Sequence, residues 1–399
     1  MDFRLSPEQE AWVNATDELA REEFAPKAAD WDRNAEYPRE NVERLREEGY
    51  LGMTIPEEFG GPERPLMDVV LAIEQVAKYC GVTGRIIVDS NVGALGATMA
   101  HGTDEQRQWL ADRIREDGDK PAIAMTEPDA GTDLGSLSTT ARKEDDEYVV
   151  DGHKHWITGG SVSQTYFVFA RIIEDGEDLG IGGLLMDADN EGLEVANVED
   201  ALGVRGTPEG EIVFDGARVP ADRVVVKDSD DGFKKLMRAY NAQRVGASAV
   251  AVGIAQGAHD LAVEFMQNRE AFGGTISDLQ GPRWEMAEAE MKLQAARTLL
   301  YRAAANAHEL DNNVMLPTLE DTSIVKAYAA DVCFEVANEA LQMFGARGYS
   351  KDFPLERMLR DVRMFKIGGG TTEAQKNMIA KSIFDGEGER RARLEDFRK

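Results

Sequence analysis

Apolar positions recur at helical spacing from Ser6 to about Gly118, change to short alternating runs from about Lys120 to Asp231, and return to helical spacing after Gly232 almost to the end. In the first stretch, Ser6-Pro7 with Gln9 forms an N-cap, first-turn proline and capping-box arrangement, and Thr103 is an N-cap candidate opening TDEQRQWLADRI. Between them PLMDVVLAIEQVAKYCG carries an apolar face. In the middle, EYVVDGHKHWITGG, TYFVFARII, GIGGLLMDA and EGEIVFDGARVP are β-branched or aromatic runs separated by Gly, Asp and Asn turns, the signature of strands. The last third predicts long helices over 233–272, 279–310 and 319–344, the first rich in Ala, Gly and Ser and so able to approach a neighbour closely. The pattern therefore predicts an α+β protein with an N-terminal helical domain (1–119), a middle β domain (120–231), a C-terminal helical bundle (232–385) and a solvated tail (386–399). No internal repeat is evident.

Length agrees with several domains, because 399 residues exceed the roughly 250–300 at which a single core stops growing. With 42% hydrophobic and 30% charged residues the chain falls in the globular class. A formal charge of −29 argues against nucleic acid and against an anionic membrane surface, since phosphate neutralisation requires clustered Lys and Arg. The acids are dispersed and arginine outnumbers lysine, as in proteins of a high-salt cytoplasm, although an ordinary acidic protein would share part of this pattern. Cys80 and Cys333 stand alone, without a CxxC partner, and read as buried small apolar residues rather than a zinc or disulfide framework. The start MDFRLSPEQE lacks a leader pattern, and no apolar run approaches the roughly 20 residues of a membrane span, so a soluble cytoplasmic protein is expected.

No GxGxxG follows a strand, so a redox cofactor would be held otherwise than in a Rossmann fold. Three segments carry the candidate chemistry. AMTEPDAGTDLGS (124–136) lies where helices give way to strands and by itself could be a polar interdomain loop. GHKHWITGG (152–160) sets Trp156 and Thr158 on one strand, where a tryptophan alone is more often core than cofactor shelf. His153 and His155 precede them without a third ligand at metal spacing, so they read as surface or packing residues and no metal is expected. NREAFGGTISDLQ (268–280) closes one helix with glycines and opens the next, and an arginine there could simply complement a helix dipole.

Together, and in this order, these segments resemble the acyl-CoA dehydrogenase family. The resemblance implies that Met125 and Thr126, leading Glu127-Pro128, lie along a flavin, and that Thr132, before Asp133, touches the CoA thioester arm. It implies that Trp156 packs beside the flavin ring with Thr158 near the nitrogen that accepts hydride. Arg269, Phe272 and Gln280 match its Arg-x-x-Phe-Gly region, whose guanidinium grips the FAD pyrophosphate across a subunit interface. In LQMFGARGYS and PLERMLRDVRMFKIGGGTTEAQKNMIAK, Gln342, Thr371 and Glu373 fall on FAD-contacting positions, and Ala346 replaces a usual glycine. Asn241, Arg244 and Gly370 fall on the substrate side. The resemblance runs from Ser6 to Phe384 and implies a central β-barrel, a four-helix bundle, FAD between domains, an acyl-CoA substrate, electron-transferring flavoprotein as partner, and a homotetramer.

The pattern breaks at the catalytic base. Family dehydrogenases remove the thioester α-proton with a glutamate found at one of two places. Here one is Gly369, in Ile367–Thr371, and the other is Gln243, just before Arg244. Glycine has no side chain and an amide is not a base. Arg85, in GVTGRIIVDSN, lies on the helix that floors the acyl pocket in the family. It reads either as an exposed helix residue or as a cation for an acyl group with a terminal anion, with Asp89 one turn on able to pair with it. A glutamine base position with such an arginine resembles the 3-sulfinopropionyl-CoA desulfinase branch, which eliminates sulfite without net oxidation. The expected function is FAD-dependent α,β-dehydrogenation of an acyl-CoA thioester with another base, the alternatives being a non-oxidative acyl-CoA lyase and a non-catalytic flavin- or CoA-binding protein. The charge carries its own prediction: the melting temperature should rise with salt from low to molar concentration, and a flat salt series would contradict it.

Overall fold

The computed structural model describes residues 4–227, 231–309 and 314–385; the expected tail, 386–399, lies outside the described residues, and the helix expected over 279–310 ends at Ala305, because His308–Glu309 pairs as a strand with Met315–Leu316. Seven helices come first: α1 Pro7–Leu19, α2 Ala28–Asn34, α3 Arg39–Glu47, α4 Leu66–Ala77, α5 Gly81–Asn91, α6 Ala94–His101 and α7 Asp104–Glu116. The Ser6 capping box forms, with Gln9 N–H donating to Ser6 Oγ at 3.2 Å, and the Thr103 N-cap closes a second box, with Gln106 N–H donating to Thr103 Oγ1 at 3.3 Å. Each satisfies helix-end donors that have no partner within the helix.

The strands are β1 Ala122–Ala124, β2 Thr140–Glu144, β3 Glu147–Thr158, β4 Thr165–Glu174, β5 Glu177–Asp187, β6 Leu193–Val198, β7 Glu209–Pro220 and β8 Val224–Val226. They pair in the order β6-β7-β3-β2-β4-β5-β8, with β1 alongside β4. The β1–β4 and β2–β4 pairs are parallel and the rest antiparallel. Their alternating apolar side chains, among them Tyr148, Val150, Tyr166, Val168, Ile212 and Phe214, form a core of their own. β3 carries a register shift between Lys154 and Ile157. Such a bulge re-aims the side chains within it, and Trp156 at its centre adopts φ +58° and stands 51% exposed.

The C-terminal helices are α8 Gly232–Asn268, α9 Gln280–Ala305, α10 Leu319–Phe344, α11 Leu355–Arg363 and α12 Thr372–Asp385. The helix expected to reach Phe272 stops at Asn268, because Glu270–Ala271 pairs with Gly274–Thr275 across a turn with φ +53° at Phe272 and +84° at Gly273. The expectation of close approach holds along α8. A Cβ on Gly253 would fall 2.4 Å from the Glu74 carbonyl oxygen and one on Gly257 2.1 Å from that of Lys78, so α8 lies directly on the α4 backbone. On the same helix, the buried Glu74 carboxylate accepts from Arg297 Nε at 2.7 Å and Tyr301 Oη at 2.8 Å, fastening α4 to α9. N-terminal and C-terminal helices therefore share one core, with α5 against α8. Cys80 and Cys333 are free and buried, and no described helix is long and apolar enough to cross a membrane.

A buried ion pair ties the loop after β1 to the sheet. Lys154 Nζ donates to Met125 O at 2.9 Å and Glu127 Oε1 at 2.8 Å, while Glu127 also accepts from the backbone N–H and hydroxyl of Ser138 and Thr139 at 2.6–2.9 Å. Burial would raise the Glu127 carboxyl, but Lys154 and those donors outweigh it and bring it to about 2. Removing one partner of a buried pair leaves an uncompensated charge. Lys154→Met should lower unfolding free energy in urea by about 3–5 kcal/mol, and pairing it with Glu127→Gln should recover part of that loss.

Candidate active site

Arg85 and Asp89 lie four residues apart on α5 and so share one helix face. That face is turned inward: Arg85 is 8% exposed, which removes the reading of a surface arginine. Asp89 accepts from three directions, from Arg85 Nε at 3.3 Å to Oδ2, Lys120 Nζ at 3.1 Å to Oδ2, and Gln243 Nε2 at 2.9 Å to Oδ1. Burial acts to raise Asp89, but the charges of Arg85 and Lys120 and the Gln243 bond prevail and hold it below the usual carboxylate range. The Arg85 pairing runs through Nε, leaving the terminal NH1 and NH2 groups without a hydrogen-bond partner among the described residues. The expectation that Asp89 pairs with Arg85 holds, yet a two-pronged donor remains for an anion.

Gln243 belongs to this cluster, and Gly369 lies beside Arg244 and Lys326. Gln243, on α8, is 3% exposed. Because the Asp89 carboxylate only accepts, it draws the amide nitrogen toward itself and leaves Gln243 Oε1 without a partner. Gly369 has φ +76° and Gly370 +93°, and a Cβ at Gly369 would lie 3.6 Å from Lys326 Cε and 3.7 Å from Arg244 Cγ. Arg244 Nε donates to Gly369 O at 2.9 Å and Arg244 NH1 to Asn241 Oδ1 at 3.0 Å, with Asn241 Nδ2 donating to Pro317 O at 3.3 Å. Lys326, 1% exposed, donates to the carbonyls of Phe365 and Gly370. Burial, reinforced by the charges of Arg244 and Arg85, pulls it down to about 7.

On the sheet side, Met125 is buried, Thr126 O accepts from His155 N–H at 3.0 Å, and the His155 ring stacks on Trp156 at 4.2 Å between centroids. Thr158 Oγ1 lies 3.0 Å from each carboxylate oxygen of Glu209. Burial raises Glu209 to about 7 against the opposing charge of Arg85 and the Thr158 bond. β7 brings Glu211 to His153 (2.7 Å) while Glu199 meets His155 (3.0 Å), so the third donor that chain spacing lacked is present, and each imidazole already has a carboxylate partner.

The remaining expected cofactor residues are not gathered at this cluster. Thr132 is exposed between β1 and β2, and Thr371 Oγ1 caps α12 by accepting from Ala374 N–H at 3.2 Å. Arg269, Phe272, Gln280, Gln342, Ala346 and Glu373 lie exposed along the C-terminal helices, and no hydrogen bond or ion pair joins their side chains to the described residues. An exposed guanidinium with free amides and aromatic faces suits a ligand combining phosphates with flat rings. Sequence reading missed Lys120, Lys326 and Glu209. Of these only Lys326 leaves a signal along the chain, a lysine inside the apolar IVKAYAA run of α10.

Family models described as the N-terminal, middle and C-terminal domains of acyl-CoA dehydrogenase match residues 6–117, 122–217 and 230–384. A 3-sulfinopropanoyl-CoA desulfinase of Paraburkholderia xenovorans is 45% identical over 384 residues, covering 96% of this chain and 97% of that protein. A short-chain specific acyl-CoA dehydrogenase of Clostridium acetobutylicum is 35% identical, covering 96% and 100%. The structure of butyryl-CoA dehydrogenase from Megasphaera elsdenii superposes with a TM-score of 0.90 at 29% identity, covering 96% and 100%.

A glutamate at position 243 would face Asp89 where the amide now donates at 2.9 Å, and like charges at that range oppose ionisation. Its folded pKa would rise above the unfolded value, so stability is intact at low pH and lost as pH rises through the folded pKa. Gln243→Glu should therefore lose about 1–3 kcal/mol between pH 5 and 8 in urea unfolding relative to the parent, and Gln243→Glu with Asp89→Asn should restore most of it.

Proposed function

This chain belongs to the acyl-CoA dehydrogenase family, and we propose that within it the protein is a FAD-dependent enzyme that releases an anionic group from a short acyl-CoA thioester without net oxidation, as a 3-sulfinopropanoyl-CoA desulfinase does. One observation carries this reading. Neither base position holds an acid, since they are Gln243 and Gly369, while the buried Arg85 keeps two terminal donors free beside Gln243 and Asp89. Dehydrogenation requires removal of the α-proton, which an amide does not perform. Loss of sulfite from a sulfinate requires instead that a terminal anion be gripped, and a guanidinium fork matches two sulfinate oxygens. The 45% identity to a desulfinase supports the same choice, and the 35% identity to a short-chain dehydrogenase keeps oxidation as the second reading.

Met125, Thr126, Trp156 and Thr158 would flank the flavin ring, Arg269 would bind the diphosphate, and Phe272, Gln280, Gln342, Ala346, Thr371 and Glu373 would line the rest of the FAD. When bound, that ring supplies a polarising, electron-accepting surface. Thr132 would meet the CoA arm, with Asn241, Arg244 and Gly370 beside the substrate. We assign domains to 1–119, 120–231 and 232–385 and read the sheet as a barrel and the last helices as a four-helix bundle. Exposed Phe272 (94%), Trp284 (61%) and Met291 (72%) support assembly with other copies, read as a homotetramer. Electron-transferring flavoprotein is the partner if oxidation occurs, and the dispersed acidity favours a salt-adapted cytoplasm.

The test is anaerobic flavin absorbance in molar salt against a panel of acyl-CoA thioesters, with sulfite measured alongside. Sulfite should appear from 3-sulfinopropanoyl-CoA without flavin bleaching, and Arg85→Ala should lower kcat/KM about 10–100-fold, the worth of a charge-assisted pair. Bleaching by a saturated acyl-CoA, with no sulfite from the sulfinate, would establish the dehydrogenase instead.

A further inference from the structure

The cluster around Arg85 and Asp89 includes one carboxyl that the preceding reading leaves without a task. Glu209 opens β7 and is the ladder partner of Thr158 on β3, and its two oxygens share the single proton of the Thr158 hydroxyl. No cation lies within ion-pair distance of it among the described residues. Asp89 is its opposite, engaged by Arg85, Lys120 and Gln243 at once. Around Glu209 stand Arg85 and Asp89 from α5, Lys120 from the segment before β1, Tyr240 from α8 and Thr158 from β3. Lys120 and the Nε edge of Arg85 pair with Asp89, which remains an anion, while Glu209, raised to about 7 by burial, exchanges a proton at neutral pH. Lys326 also titrates near 7, but it is 1% exposed and directed at the Phe365 and Gly370 carbonyls. Glu209 is half-buried, less enclosed than Lys326.

We propose that Glu209 is the acid–base group of this cluster and delivers the proton that takes the place of the departing anionic group on the substrate carbon. This rests on the desulfinase reading above. The carbon–sulfur bond breaks, the carbon keeps the electron pair and takes the proton of the Glu209 carboxyl, and sulfur leaves as sulfur dioxide. Water adds to the sulfur dioxide to give hydrogensulfite and one proton, which returns to Glu209. Sulfinate and water thus become a methyl group and hydrogensulfite, with no external oxidant or reductant.

The test uses the FAD-loaded enzyme in molar salt with 3-sulfinopropanoyl-CoA. Sulfite release should fall as pH rises through about 7, where Glu209 loses its proton. Glu209→Gln should lower kcat about 10²–10⁴-fold with the flavin spectrum and KM retained, and Glu209→Asp should restore part of it. An unchanged kcat and alkaline limb in Glu209→Gln would overturn the inference. Infrared difference spectra across the same pH range, taken without substrate, separate it from the reading it rests on. A protonated-carboxyl band present in the parent and absent from Glu209→Gln supports Glu209 even if no sulfite forms, in which case the desulfinase reading alone fails. A band unaltered by Glu209→Gln sinks the inference even if sulfite does form.

Discussion

A carboxylate taken out of water has to be matched by charge and hydrogen bonds where it sits. In this protein that carboxylate is Asp89, and its partners come from separate parts of the chain: Arg85 on the same helix, Lys120 ahead of the sheet and Gln243 on α8. Satisfying one buried charge therefore joins the N-terminal helices, the sheet entry and the C-terminal helices. It also fixes which atoms face the cleft. Arg85 is held by Nε with its fork free, and Gln243 is held by its nitrogen with its oxygen unpartnered.

The same constraint bears on the two base positions. Beside an ionised Asp89, position 243 favours a neutral donor over an acid, and glutamine supplies it. At the other base position the two glycines have left-handed backbone, which costs glycine little, and the space beside Gly369 is bordered by Lys326 and Arg244. Positive charge thus borders the Gly369 position, an environment that suits gripping an anion there better than abstracting a proton.

The sheet contributes through a second buried pair. Lys154 and Glu127 pin the loop after β1 against β3, immediately before the bulge that turns Trp156 outward. The aromatic face and the Thr158 hydroxyl are thereby presented from a rigid ladder instead of a loose loop. Arg269, Gln280 and Gln342 stand exposed on the C-terminal helices. A cofactor held between elements so arranged depends on how the helices are brought together.

Periodicity and end signals determined the order helices, strands, helices, because hydrophobic spacing and capping act within a few residues of chain. The motifs around Met125, Trp156 and Arg269, and the absence of an acid at 243 and 369, are likewise properties of single positions and were legible directly. The end of α8 was not, since a two-residue ladder beyond Asn268 competes with helix propagation. Whether Arg85 was surface or interior was also undecided, because an arginine and an aspartate one turn apart look alike on either face of a helix. Only the tertiary structure decided that, by burying α5 against α8 and bringing Gln243 to Asp89 across 154 residues. It alone gave Glu209 its role, since a glutamate at a strand end is unremarked until Thr158 lies opposite and the nearby cations have been claimed by another carboxylate. Burial and pairing depend on what arrives from elsewhere in the chain, and no local pattern carries that information.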